Sequence, residues 1–422
     1  MSRCFVLSPD LRGISSREPE QRLEEAVGLT RAIDLDVVAT ESIALDKRHP
    51  ATFFGSGKVE EIGARVSDAD ADLVIINSAL SPVQQRNLER EWKAKVLDRT
   101  GLILEIFGRR AQTREGVMQV DLAHLSFQKS RLVRSWTHLE RQRGGAGFMG
   151  GPGERQIESD RRMIDEKITR LRRQLNKVVQ TRTLHRKARK KAPFPVVVLV
   201  GYTNAGKSTL FNNLTQANVK AEDMLFATLD PTMREIRLPS GRTAILSDTV
   251  GFISDLPTEL VAAFRATLEE VLEADLILHV RDISSPTSDA EARDVDEVLG
   301  KLGVHDDAAR FEVLNKIDLL SEPLTALETK TQESADRLQV SAKDGSGCPA
   351  LLTAIENAIY PDSSEVTLSL MYSDGAALAW LYERGLVLDR KDCSDRIEIS
   401  AELTVKEHAQ FRKNFKGSSH LW

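Results

Sequence analysis

The sequence has few cysteines, few aromatic residues and no long apolar run. Its three cysteines, Cys4, Cys348 and Cys393, lie far apart and form no C-x-x-C pair, which argues against a zinc site or a disulfide framework and fits a reducing compartment. No apolar stretch approaches the roughly 20 residues of a membrane span, and the N-terminus resembles no signal peptide. We therefore expect a cytoplasmic monomer without an integral membrane span, with peripheral membrane association left open.

Charge is unevenly distributed along the chain. The net charge of the 422 residues is −5, but residues 129 to 191 hold 19 Lys or Arg and six Asp or Glu. That segment carries +13, so the remainder carries −18. A basic arm on an acidic body favours a polyanionic partner, although a solvated helix surface would have the same composition.

Alternating strand-like and helix-like segments indicate a multidomain α/β protein. Residues 3 to 110 alternate between buried strands such as "ADLVIIN" and amphipathic helices such as "EPEQRLEEAVGLTRAI", which predicts an N-terminal α/β domain with a mostly parallel sheet over 1–115. Charge and two prolines mark a boundary near 192, and "PDSSE" marks another near 361. We predict a second α/β domain over 193–361 and a small α+β domain over 362–422.

Between the first two domains, heptad spacing predicts an antiparallel helical hairpin over 116–192. Apolar residues recur every three or four positions, with Lys129 interrupting the first series. The first series is Met118, Leu122, Leu125, Leu132, Trp136 and Leu139, and the second is Ile164, Ile168, Leu171, Leu175 and Val178. The glycine-rich stretch "GGAGFMGGPG", residues 144 to 153, would form the tip. A linker between domains is the alternative interpretation.

A phosphate-binding loop follows the apolar strand at 196–200. Gly201, Gly206, Lys207 and Ser208 satisfy G-x-x-x-x-G-K-[ST] between a strand and a helix. Backbone N–H groups would hold phosphates, Lys207 would reach the β and γ phosphates, and Ser208 would bind Mg²⁺. By contrast, "FFGSGKVEE" has Thr52 and Val59 at the first-glycine and hydroxyl positions, so we interpret it as a turn into a helix.

Three later motifs predict that the nucleotide is GTP. "NKID" ends in Asp318, whose carboxylate can accept hydrogen bonds from the guanine N1–H and amino group, which adenine lacks. "SAK", residues 341 to 343, resembles the loop that supports the guanine O6. "DTVG" places Asp248 near the magnesium ion, through a water molecule, and the Gly251 N–H near the γ-phosphate. A threonine must complete the magnesium shell, and both Thr228 and Thr232 qualify chemically.

Together these motifs resemble the HflX-type GTPases, a ribosome-associated family. "GPGERQIESDRR", "GYTNAGKSTLFN", "LFATLDPT" and "DTVGFI" carry the resemblance over nearly the whole chain. It favours Thr228 over Thr232 as the magnesium ligand. Arg155 is a departure, because the family commonly has Thr there. The predicted nucleotide-binding positions are Gly201, Tyr202, Thr203, Asn204, Ala205, Gly206, Lys207, Ser208, Phe226, Ala227, Thr228, Leu229, Asp230, Asp248, Thr249, Val250, Gly251, Asn315, Lys316, Ile317, Asp318, Ser341, Ala342 and Lys343, with Lys207, Thr228 and Gly251 expected to serve hydrolysis.

The resemblance implies binding of GTP and GDP, Mg²⁺ as cofactor, and binding to the large ribosomal subunit, with splitting or rescue of stalled ribosomes under stress. A basic finger with a glycine tip can approach RNA closely, and the candidate RNA contacts are Arg141, Arg143, Arg155, Arg161 and Arg162. Potassium is a second candidate cofactor, since Asn204 resembles a potassium-binding asparagine of related GTPases. The alternative, which we weigh equally, is that Asn204 is an ordinary turn residue.

Two other functions remain as alternatives at this point. One is a GTPase acting in RNA modification or ribosome assembly, of which RNA modification would need further catalytic residues, such as a reactive cysteine. An RNA-dependent ATPase would need a complete phosphate loop within residues 1 to 190, and the sequence offers only the incomplete one around Lys58.

Overall fold

The computed structural model describes residues 2–11, 17–142, 152–189, 194–216, 225–226, 232–254, 270–304, 308–320 and 337–415. Within these residues the chain forms three sheets with helices packed on them. The predicted fold class is therefore confirmed. The boundaries of the four predicted domains stay predictions.

The N-terminal region is a parallel sheet covered by helices on both faces. Its strands run in the order β2-β1-β3-β4, and the chain changes direction across the sheet between β1 and β3. Because side chains alternate along a strand, Cys4 and Val6 face one apolar cluster while Phe5 and Leu7 face the other. The strands are β1 Arg3–Leu11, β2 Asp36–Leu45, β3 Leu73–Ile76 and β4 Lys95–Asp98, and the helices are α1 Pro19–Arg31, α2 Ser56–Asp68, α3 Pro82–Trp92 and α4 Arg99–Arg110.

Two long helices follow, α5 Arg114–Gln142 and α6 Pro152–Arg189. They pack against each other as a hairpin, with Ile168 and Leu175 of the predicted stripe buried. Lys129 interrupts the first stripe because its ammonium group pairs with Asp165 on the facing helix. Residues 144–151 of the predicted loop lie outside the described residues, and its last two residues, 152 and 153, begin α6.

The central domain is a six-stranded sheet in the order β10-β9-β8-β5-β7-β6, parallel except for the β6–β7 pair. Its continuous apolar strands are buried on both faces, as expected when helices cover both sides. The strands are β5 Val196–Gly201, β6 Thr232–Arg237, β7 Thr243–Asp248, β8 Leu276–Asp282, β9 Arg310–Asn315 and β10 Arg337–Gln339, and the helices are α7 Lys207–Thr215, α8 Ser288–Leu302, the 3₁₀ turn Ile317–Leu319 and α9 Cys348–Ile359.

The C-terminal domain is an antiparallel sheet in the order β11-β13-β12, with two helices on its apolar face. It contacts the central domain through Arg242, which follows the β6–β7 turn and is almost fully buried. Arg242 donates to the Glu402 carbonyl at 2.6 Å and pairs with Glu407 at 3.3 Å. The elements are β11 Ser363–Met371, α10 Gly375–Glu383, β12 Val387–Asp392, β13 Arg396–Thr404 and α11 Val405–Asn414.

One apolar cluster spans the N-terminal and central domains. It joins Val6 and Phe107 of the first domain to Val200, Phe252 and Ile253 of the second. Burial of a shared cluster holds domains in one arrangement far better than a polar contact does. The loops at the carboxyl end of β5 and β7 are therefore built against the N-terminal domain.

Candidate functional site

The loop between β5 and α7, residues 201 to 208, has the geometry of a phosphate cradle. A Cβ at Gly201 would lie 2.2 Å from the Val280 carbonyl oxygen, and one at Gly206 would lie 2.2 Å from the Asn315 side-chain nitrogen. Both glycines also have positive φ, 152° and 90°. Only glycine fits these two positions, which bring the backbone close to its neighbours and open the N-terminus of α7 toward the loop.

Lys207 is held at the centre of this loop. Its Nζ donates to the Gly201 carbonyl at 3.1 Å and to the Tyr202 carbonyl at 2.7 Å. An ammonium group has three donors, so one remains for a phosphate oxygen. Burial lowers the pKa of Lys207 to about 8, and the nearby Asp248 carboxylate partly opposes this shift. The loop thus positions a cation whose charge is poorly solvated until an anion arrives.

Ser208 and Asp248 form a pair of oxygen donors beside the lysine. Asp248, at the end of β7, is fully buried, and its Oδ2 accepts a hydrogen bond from the Ser208 hydroxyl at 2.6 Å. The next residue, Thr249, donates its hydroxyl to the Leu199 carbonyl at 2.6 Å, which fixes the strand end against β5. A hydroxyl and a carboxylate at this separation suit a hard divalent cation such as Mg²⁺.

The segment after Asp248 lies directly on the phosphate loop. The Phe252 carbonyl accepts from the Thr203 N–H at 2.7 Å, and the Phe252 N–H donates to the Gly201 carbonyl at 3.1 Å. A Cβ at Gly251 would lie 2.9 Å from Thr203 Cα and 3.1 Å from Lys207 Nζ. The Gly251 backbone is therefore beside the ammonium group, with Val250 buried behind it.

A second set of loops meets at the carboxyl ends of β9 and β10. The Asn315 side-chain amide donates to the Ala205 carbonyl at 2.8 Å, and its oxygen accepts from the Ala342 N–H at 2.9 Å. The Ser341 hydroxyl donates to Asp318 at 2.8 Å. Asp318 and Lys343 are exposed, so they are accessible to a ligand.

Lys316 and Ile317 shape the loop that carries Asp318. Lys316 has a positive φ of 67°, and its ammonium group pairs with Asp282 at 2.7 Å. The sequence did not reveal this pairing of Asp282 with Lys316, because Asp282 ends β8 whereas Lys316 follows β9. The strand order places β8 next to β9, so the two ends meet.

Two of the predicted positions have side chains that pack toward the N-terminal domain, and four lie outside the described residues. The Phe226 ring is buried and stacks edge-on against Phe107 of α4 at 4.7 Å, so its side chain packs in the interdomain core. The Tyr202 side chain also points to the N-terminal domain. Asn204 is exposed in the left-handed region, with φ of 62°. The positions outside the described residues are Ala227, Thr228, Leu229 and Asp230.

Comparisons with known proteins agree with these motifs along the whole chain. Residues 20–108 match the family description "GTP-binding GTPase N-terminal", and residues 110–189 match "GTP-binding GTPase Middle Region". Residues 196–316 match "50S ribosome-binding GTPase", and residues 326–418 match "HflX C-terminal domain". A GTPase HflX of Magnetococcus marinus is 51% identical over 389 residues, which cover 92% of this chain and 89% of that protein. The chain belongs to the HflX family of GTPases.

Two further proteins are similar to this chain over most of its length. The GTPase HflX of Escherichia coli is 42% identical over 86% of this chain and 84% of that protein. A crystal structure of a GTP-binding protein from Sulfolobus solfataricus in complex with GDP is 24% identical, covers 85% of this chain and 99% of that chain, and has a TM-score of 0.45. The family-model matches and the HflX relatives confirm the predictions of the family, of GTP binding and of GTPase activity.

The HflX hairpin carries the predicted RNA contacts. Arg161 and Arg162 are exposed on α6. Arg141 and Arg155 belong to α5 and α6, but their side chains are not described, and Arg143 lies outside the described residues. None of the described helices is long and apolar enough to cross a membrane.

Proposed function

We propose that this GTPase binds the large ribosomal subunit in its GTP form and splits or rescues stalled ribosomes under stress. The observation that carries the proposal is the basic hairpin beside a domain matching "50S ribosome-binding GTPase". The side chains of α6 that the structure describes include seven exposed basic residues, which are Arg161, Arg162, Lys167, Arg170, Arg172, Arg173 and Lys177. Such a helix can track an RNA backbone and release its counterions.

In the nucleotide site, Lys207 would bind the β and γ phosphates and the Gly251 N–H would contact the γ-phosphate. Ser208 and Asp248 would hold Mg²⁺, Asp248 through a water molecule, and Thr228 would complete the shell as the resemblance suggests. A magnesium ion bound there would neutralise charge that builds up on the phosphates. Asp318 would select guanine, held in place by Ser341. The support for these roles is the convergence of the side chains described above.

The alternative function in RNA modification would need a reactive cysteine, and the properties of two cysteines argue against it. Cys4 is fully buried, and burial raises the pKa of its thiol to about 12. Burial also raises the pKa of Cys348, which is buried near the start of α9. Thiols of this kind are poor nucleophiles, because the thiolate is the reactive form.

An ATPase site around Lys58 is also poorly supported. Lys58 lies on α2, and its ammonium group donates to Glu41 at 3.1 Å and to Glu61 at 2.8 Å. A lysine engaged by two carboxylates offers little positive charge to a phosphate. The turn into a helix predicted for this stretch agrees with the start of α2 at Ser56.

The proposal can be tested by co-sedimentation with large subunits in GTP, GDP and a non-hydrolysable GTP analogue. The double variant Arg161→Glu, Arg162→Glu should lose subunit binding, most strongly at low salt, because two phosphate contacts become repulsive. Its GTP affinity should stay unchanged. The matched control is Arg86→Glu, Arg90→Glu, two exposed arginines on α3.

Equal co-sedimentation of both double variants and the wild type would reject the hairpin as the RNA-binding element. Equal binding in GTP and GDP would reject the nucleotide-dependent part of the proposal. A GTP-dependent rise in free subunits from 70S ribosomes, measured on the same gradients, would establish splitting.

A further inference from the structure

A buried polar network connects the phosphate loop to the N-terminal domain. The Tyr202 hydroxyl donates to Glu25 on α1 at 2.6 Å. It accepts from Arg17 at 2.8 Å and from the Ser254 N–H at 2.8 Å. The side chain of Tyr202 thus leaves a loop that binds phosphate and ends in a different domain.

Ser254 is bonded to this network through each of its polar groups. Its hydroxyl lies 2.9 Å from Glu25 Oε2, and its carbonyl accepts from Arg99 at 2.7 Å. Ser254 is three residues after Gly251. The buried polar network therefore holds the same short segment that places the Gly251 N–H beside Lys207.

The N-terminal side of the network is buried and charged. Glu25, Arg17 and Arg99 are each about nine-tenths buried, and Arg99 also bonds the Asn77 side chain at 2.5 Å. Burial alone would raise the pKa of Glu25, but Arg99, Tyr202, Arg17 and Ser254 together hold it below its usual value. The carboxylate is thus kept ionised as a fixed acceptor.

The location of the network in the N-terminal sheet is also informative. Asn77 follows β3, and its side chain bonds Ser8 of β1 at 3.4 Å. The sheet changes winding direction between β1 and β3, and open α/β sheets bind their ligands at the carboxyl end of such a point. In this protein Arg99 occupies that crevice together with Ser254 of the central domain.

We propose that Tyr202 and Glu25 are positioning residues for GTP hydrolysis, which hold Ser254 and thereby the Gly251 backbone at the γ-phosphate position. Domain cohesion alone does not require this network, because the shared apolar cluster already joins the domains. The Phe252 ring is part of that cluster and cannot orient a water molecule. Residues 251 to 254 then contribute to hydrolysis by placing the backbone N–H of Gly251. A small displacement of such a group lowers the reaction rate by a large factor.

The test is the GTPase rate of the full chain without ribosomes. Tyr202→Phe removes only the hydroxyl, and Glu25→Gln removes the charge and replaces one acceptor oxygen by a donor nitrogen. Each should lower kcat about tenfold while the Kd for a fluorescent GTP analogue stays within about twofold, because Gly251 supplies one contact among many and the contacts of Lys207 and of the phosphate loop are retained. The double variant should be no slower than the worse single variant, since both act through Ser254.

Thr30→Val is the matched control. Thr30 is on the same helix as Glu25, is fully buried and donates its hydroxyl to the Ala26 carbonyl at 2.8 Å, away from the phosphate loop. It should leave kcat unchanged. If Glu25→Gln fails to fold, Ser254→Ala provides the same test from the central domain.

An unchanged or raised kcat in folded Tyr202→Phe would overturn the proposal. Multiplied losses in the double variant, or parallel losses of kcat and affinity, would also overturn it, because they would indicate separate structural defects. These measurements need no ribosome, so they are independent of the proposed ribosomal role.

Discussion

The side-chain amide of Asn315 donates a hydrogen bond to the Ala205 carbonyl at 2.8 Å. The same side chain accepts from the Ala342 N–H at 2.9 Å, so one residue ties the phosphate loop to the loop after β10. Asn315 is 1% exposed, and both bonds are made away from solvent. One buried amide therefore joins the phosphate loop to the loop predicted to contact guanine.

Asn315→Ala should weaken GTP binding about tenfold and destabilise the protein by about 1–3 kcal/mol, because the Ala205 carbonyl and the Ala342 N–H lose their partner. Fluorescent-nucleotide titration and thermal unfolding measure the two effects. Asn213→Ala is the control, since Asn213 makes one weaker bond, to the Ala342 carbonyl at 3.3 Å. Similar GTP affinities for the two variants would show that Asn315 does not couple the loops.

Asp318→Asn should change the preferred nucleotide from GTP to xanthosine triphosphate. The amide nitrogen donates where the carboxylate accepted, which matches the xanthine O2 in place of the guanine amino group. The bond from Ser341 can remain, because the amide oxygen still accepts. Asp344→Asn, at an exposed carboxylate in the neighbouring turn, should keep the GTP preference. Equal GTP affinity in wild type and Asp318→Asn would refute guanine recognition by Asp318.

Nucleotide affinity should fall as the pH rises through about 8, the pKa of Lys207 in the free protein. A bound phosphate stabilises the ammonium form and raises this pKa. Binding therefore takes up a proton above pH 8, and affinity should drop by up to about tenfold per pH unit there. Calorimetric titration in two buffers of different ionisation enthalpy measures the uptake. Lys207→Met should bind weakly at every pH and lose this slope, whereas a retained slope would assign the proton to another group.

Local sequence patterns predicted the elements and the phosphate loop but not the contacts between domains. Gly201, Gly206 and Lys207 could be found because their spacing is set by one loop. The Tyr202–Glu25 bond joins residues 177 positions apart, and Glu25 lies in a charged run typical of an exposed helix. No periodicity marks such a pair, since its burial depends on how two folded domains meet.

Two other differences have local causes. Strand β12, "VLDRKD", was not predicted, because it is an edge strand with five exposed residues and lacks alternation. The direction of the Phe226 ring, which packs against Phe107, was not apparent from its motif, and its predicted contact with nucleotide stays a prediction. A motif gives the position of a residue in the chain but not the direction of its side chain.

The last prediction is that intrinsic GTP turnover is slow. Many GTPases orient the attacking water with a glutamine directly after the D-x-x-G glycine. Here that residue is Phe252, which is 2% exposed within the interdomain cluster. Phe252→Gln should not raise the rate, because the new amide would be buried in the cluster, and it should destabilise the protein by about 3 kcal/mol or more. A faster folded variant would show that the position can reach the water.

The group that assists the attack of water on the γ-phosphate must then come from outside residues 251 to 254. Two possible sources can be distinguished by experiment. The large subunit can supply the catalytic arrangement, or a potassium ion held with help from Asn204 can stabilise the charge that develops on the phosphates. Asn204 is exposed within the phosphate loop, which suits either a cation ligand or a plain turn residue. Initial rates in potassium and in sodium chloride at equal ionic strength, each with and without large subunits, distinguish these sources. Fast turnover of the isolated protein in sodium would contradict the inference from Phe252. Stimulation by potassium that disappears in Asn204→Ala would assign the cation to this loop. Stimulation by subunits alone would leave Asn204 as a turn residue. The second outcome is reasonable because a cation site needs more ligands than one side chain supplies.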